Sequence, residues 1–81
     1  MRDYVFDANV NAMRVGDKFL YEIYALTGKS LGGKFATSVT VTRVIPKLDN
    51  GRVPQVVLRD DSTGIEYTKV ACWTKPIRKN N

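Results

Sequence analysis

Apolar and polar residues alternate along most of this chain with a period of two, the pattern of half-buried strands. From Lys18 to Leu26 an extended strand would place Phe19, Tyr21, Ile23 and Ala25 on one side. Leu20, Glu22, Tyr24 and Leu26 would share the other side. The first set is the expected core face, because the second carries Glu22. The second face is still apolar enough to require a cover or a partner. In a second strand, Phe35 to Ile45, Ser38, Thr40 and Thr42 alternate with Val39 and Val41. Arg43-Val44-Ile45 then breaks the phase, which predicts a bulge or strong bend near Arg43. Gln55 to Arg59 reads as a short, very apolar strand. Ile65 to Cys72 is its hairpin partner across the polar turn Asp60-Asp61-Ser62-Thr63-Gly64. Trp73 to Ile77 is a candidate last strand, ended by Pro76.

Turn chemistry sets the boundaries. Tyr4-Val5-Phe6 predicts a short edge strand. Asp7 suits a helix N-cap, Val10 and Met13 lie three apart, and Gly16 can stop a helix, so a short N-terminal helix is expected. Val15-Gly16-Asp17 turns the chain into the first long strand. Thr27 to Lys34 (TGKSLGGK) reads as a loop or the flexible tip of a hairpin. Pro46 to Pro54 forms a turn region around Asp49-Asn50-Gly51. The whole predicts one mostly-β domain over residues 1–81, with its core at about 13–77 and a frayed basic tail at 78–81. Four or five short strands give a small barrel or a strongly bent antiparallel sheet.

This order of elements resembles an SH3-like small barrel of the Tudor or KOW kind. The resemblance rests on Val15-Gly16-Asp17, on the threonine-valine strand from Val39 to Val44, and on the hairpin Val56 to Tyr67. It implies a binding module for nucleic acids, for peptides or for parts of the transcription machinery; fold alone does not choose among them. Tyr67 and Trp73 are too few for an aromatic cage of the methyl-lysine-reading type.

Charge sharpens this picture. The 81 residues carry a net charge of +5, and the excess is uneven. Ile23 to Leu48 holds Lys29, Lys34, Arg43 and Lys47 with no acid, and Tyr67 to Asn81 holds Lys69, Lys75, Arg78 and Lys79 with no acid. Such a field favours polyanions or an acidic protein face, although a charge of this size also serves solubility. With no apolar run near the start and one cysteine, Cys72, the chain is expected to be cytoplasmic, with no membrane partner. Cys72 is expected to be packed.

Catalytic chemistry finds no support. The chain has no histidine, so it lacks a base that titrates near neutrality and an imidazole metal ligand. One cysteine does not make a thiolate zinc site, and Asp60-Asp61 lacks the ligand spacing of a calcium loop, so a solvated turn is expected there. Thr27-Gly28-Lys29-Ser30 ends like a phosphate-binding loop, but Ile23 stands where that motif needs glycine, and a strand follows where it needs a helix. No enzyme activity and no cofactor are expected.

Two functions remain. The first is a nucleic-acid-binding module acting through phosphate contacts from Lys29, Lys34, Lys47, Arg52, Lys75, Arg78 and Lys79. Trp73 would add stacking, since exposed aromatics beside cations serve single-strand binders. Phe19, Tyr21 and Phe35 are expected inside, and Tyr24 and Trp73 at the surface. The second is a protein-interaction module, such as a small viral or mobile-element regulator or inhibitor of a larger host complex. It would act through Leu20, Tyr24 and Leu26, a face that self-association could also use.

Overall fold

The structure, a computed structural model, describes residues 3–29, 35–46 and 53–80. The expected turn at Asp49-Asn50-Gly51, the tip from Ser30 to Lys34, and Lys47 and Arg52 lie outside these. Seven strands form: β1 (Tyr4–Phe6), β2 (Ala12–Arg14), β3 (Lys18–Glu22), β4 (Ala36–Ile45), β5 (Gln55–Asp60), β6 (Glu66–Val70) and β7 (Arg78–Lys79). A short helix, α1, spans Ile23–Thr27, and a 3-10 turn spans Ala71–Trp73. Strands β6-β5-β4-β3-β7 make one antiparallel sheet, and β1 and β2 make a separate hairpin. Among the described residues β6 and β7 are the sheet's two outer strands and do not pair, so the sheet is open and no closed barrel forms.

Alternation places the core on one face of this sheet. Phe19 and Tyr21 of β3, Val39 and Val41 of β4, and Val56 and Leu58 of β5 are all buried and point inward. The hairpin covers them with Val5 and Met13, and Leu26 and Ala71 close the ends. The register shifts between Val41 and Arg43, as the broken phase predicts. The extra residue there turns Val44 inward against the core and leaves Arg43 exposed on the outer face.

The expected helix at Asp7 is instead the loop of the β1–β2 hairpin. Asp7 Oδ1 accepts the backbone N–H of Asn9 (2.8 Å) and of Asn11 (2.9 Å). This is the same short-range carboxylate chemistry that caps a helix, used here to fold a turn. Strand pairing of Tyr4 with Arg14 and Val5 with Met13 then decides the outcome. The long strand from Lys18 is shorter than its period-two pattern suggests, because the chain turns helical at Ile23. Gly28 ends α1 at φ 73°, and its N–H donates to Tyr24 O at 2.8 Å. Two further expectations are overturned at the C-terminal end. Residues 71–73 form a turn in place of a strand, and Arg78 and Lys79 are pinned to Leu20 and Phe19 of β3 where a frayed tail was expected. Pairing satisfies their backbone: Ile77 N–H donates to Leu20 O at 2.7 Å and Asn80 N–H to Lys18 O at 2.8 Å.

Tyr21 is buried at 1% exposure, and among the described residues its hydroxyl finds no well-formed hydrogen bond, only a loose approach of the Thr74 hydroxyl. Burial pushes the phenol up to about 12; the Thr74 hydroxyl opposes this and the Asp7 carboxylate adds to it. The folded state therefore holds the proton longer than the unfolded chain, whose tyrosine titrates near 10. Stability from this group is intact below pH 10 and is lost as pH rises toward 12, by about 2–3 kcal/mol. Tyr21→Phe is expected to unfold at the same or slightly higher urea concentration at pH 7, since it removes a dehydrated hydroxyl. It should also lose part of the alkaline fall in stability. Urea titrations at pH 7 and pH 11.5 check both, and a loss above about 1.5 kcal/mol at pH 7 would contradict the first.

Candidate functional site

The inner face of the sheet extends past the core at β6, and the exposed chemistry gathers there. Tyr67 pairs with Leu58 and Lys69 with Val56, so both project to the inner side. The Lys69 ammonium lies 5.9 Å from the centre of the Tyr67 ring. α1 stands across from this strand because Ile23 and Leu26, three apart, turn one stripe inward, and Leu26 is buried at 1% exposure. Tyr24 and Ala25 then fall on the exposed side. After β6, the turn at 71–73 swings Trp73 out to 77% exposure. Thr74 anchors this turn, its hydroxyl donating to Ala71 O at 3.0 Å.

Two open hollows flank the seam between α1 and β6. One, of about 380 Å³, is lined by Ile23, Leu26, Thr27, Lys29 and Tyr67. The other, of about 350 Å³, lies between Tyr24 and Ala25 of α1, Lys69 and Val70 of β6, and Trp73 with Lys75 beyond it. Among the described residues, three lysines and no acid line the pair. Within the described residues, ion pairs engage other cations instead: Lys18 and Arg59 with Asp61, and Lys79 with Asp17 at 3.6 Å. The two acids in these ion pairs, Asp61 and Asp17, lie on the turn after β5 and the turn before β3.

The sequence-predicted cations divide accordingly. Lys29 lines one hollow, and Lys75 lines the other beside Trp73. Arg78 pairs with Leu20 and projects to the outer face, and Lys79 reaches Asp17. Lys34, Lys47 and Arg52 lie outside the described residues. Lys69 joins the site although it stood outside the expected contact set. Its signal was its place two residues after Tyr67, on the same side of a strand.

The expected apolar face of Leu20, Tyr24 and Leu26 does not exist. Leu20 is half-buried on the outer face, Leu26 is core, and Tyr24 is exposed on the helix. The helical turn at Ile23 separates them. Two other expectations reverse: Phe35 is 54% exposed, and Cys72 is exposed on the 71–73 turn. The Asp60-Asp61 turn is only partly solvated, because Asp60 is buried and accepts the Thr37 hydroxyl at 2.8 Å. No helix of the described residues is long and apolar enough to cross a membrane. Compared with protein-family models, curated proteins and solved structures, the chain matches none.

Proposed function

We propose that this chain is a small nucleic-acid-binding module that meets the phosphate backbone with Lys29, Lys69 and Lys75. The observation that carries this reading is the pair of hollows edged by these lysines, with no acid among their described lining residues, beside exposed Tyr24 and Trp73. A phosphate backbone rewards such a surface by releasing condensed counterions, and the neighbouring aromatic rings offer contacts that free phosphate cannot use. The protein-interaction reading is the weaker one, because the face it relied on is divided between core, outer sheet and helix. An SH3-like likeness of fold belongs to the proposal as well. The three features behind it, the turn at residues 15–17, β4 and the β5–β6 hairpin, are all formed, in an open sheet.

Salt provides the test. Three phosphate contacts give a slope of about 2 to 3 in log affinity against log salt, so moving from 50 to 200 mM should weaken binding roughly 20- to 40-fold. Fluorescence anisotropy with labelled DNA and RNA oligonucleotides reads this directly. Absence of binding at 50 mM salt, with the protein folded, would overturn the reading.

A further inference from the structure

We infer that the nucleic acid is single-stranded, and that a few unstacked bases enter the hollows at the α1–β6 seam and stack on Trp73 and Tyr24. This rests on the nucleic-acid reading above and narrows it to one substrate class. Trp73 and Tyr24 are 77% and 61% exposed, and both edge the same hollow of about 350 Å³. Tyr67 lines the neighbouring hollow, with the Lys69 ammonium 5.9 Å from its ring centre. Aromatic faces of this kind recognise the flat side of a base. In a duplex that side is hidden by stacking, and only base edges are presented in the grooves. Duplex readers insert a helix or a two-stranded ribbon into the groove. Here α1 has five residues, about 7.5 Å of helix, and walls a hollow. The β5–β6 hairpin turns through Asp60 to Ile65, a tip that holds no basic side chain to meet groove phosphates. A single strand needs no inserted element. Its bases turn toward the rings while its phosphates run past Lys29, Lys69 and Lys75, whose charges no acid among the described lining residues offsets. Stacking on an exposed ring contributes about 1–3 kcal/mol per base and tolerates any base.

Trp73 is the chain's one tryptophan, so its emission reports on this ring alone. The experiment titrates the protein with oligo-dT and oligo-U of about ten nucleotides, and with a mixed-sequence duplex of the same length, at 50 mM salt. Single strands should bind at least tenfold tighter than the duplex and quench Trp73 emission. Trp73→Ala should weaken single-strand binding about 10- to 100-fold, with Tyr24→Ala about tenfold, and leave duplex affinity unchanged. Trp73→Phe should recover most of the loss. Because both rings are exposed, neither truncation removes core packing, and circular dichroism verifies the fold. Equal affinity for single strand and duplex, with Trp73→Ala silent and salt dependence retained, overturns the single-strand inference and leaves the broader reading standing. No binding of any strand overturns both.

Discussion

Asp60→Ala is expected to cost about 3 kcal/mol of stability, the largest effect of any polar substitution in the described residues. Asp60 ends β5 on the inner face and is buried at 6% exposure. Its Oδ1 accepts the Thr37 hydroxyl at 2.8 Å, the Ser62 N–H at 2.9 Å and the Ser62 hydroxyl at 2.7 Å. These bonds hold the β5–β6 turn against β4. Truncation leaves the Thr37 hydroxyl, itself buried, and the Ser62 N–H without their acceptor. A domain of 81 residues has roughly 4–12 kcal/mol in total, so about a quarter to three quarters of the margin goes. Urea denaturation at pH 7 measures it, and a loss under about 1 kcal/mol would show that the turn is held by something else. The pH dependence is a second check. Burial works to raise the Asp60 carboxyl, but the hydrogen bonds from Ser62, Thr37 and the Thr63 N–H outweigh it and hold the group below the ordinary range. Near pH 4 the unfolded chain therefore binds more protons at this site than the folded one. The contribution is present above the unfolded value and fades as pH falls through the folded one. The gap between wild type and Asp60→Ala should accordingly narrow in acid.

The parts of the fold that sequence reveals are those where a strand keeps one face in the core. β4 and β5 keep Val39, Val41, Val56 and Leu58 on one buried face, and the bulge announces its position by breaking the phase at Arg43. The misread parts are those where two structures share one local chemistry. Asp7 alone does not say whether its carboxylate caps a helix or an Asx turn; the pairing of Tyr4 to Phe6 with Ala12 to Arg14 settles that. Around Ile23 a run of apolar residues satisfies both periods, and only the spacing of Ile23 to Leu26 together with Gly28 favours the helix. That misreading propagated to the site. It invented a face from Leu20, Tyr24 and Leu26, while the register that puts Lys69 beside Tyr67 needed the correct β5–β6 pairing. Trp73 and Tyr24 were legible as surface rings from the basic residues around them, whereas Phe35, in the same charge environment, gave no sign of its exposure. Cys72 was misplaced for a related reason: three turning residues replace the strand that would have hidden one of its sides.

Reversing Lys69 and Lys75 together to glutamate should weaken nucleic-acid binding about 100-fold at 50 mM salt and flatten its salt slope by about two. Each lysine removed deletes one phosphate contact, and each carboxylate introduced repels the same phosphate across a hollow that holds no compensating charge. Net charge alone would weaken binding too, so the comparison is Arg43→Glu with Arg78→Glu. That pair makes the identical change in total charge, from cations that the strand register places on the outer face. If long-range attraction to a basic body were the whole mechanism, the two double variants would fall equally, because a diffuse field depends little on which face carries the charge. If contact at the α1–β6 seam carries affinity, the outer pair should lose no more than about fivefold, mostly through slower encounter, and keep its salt slope. Anisotropy titrations at 50, 100 and 200 mM salt separate these cases. Equal losses for the two pairs would move the binding surface off the hollows. The stability of the variants should barely differ, since Lys75, Arg43 and Arg78 are exposed and Lys69 gives up only a partly exposed cation–π contact.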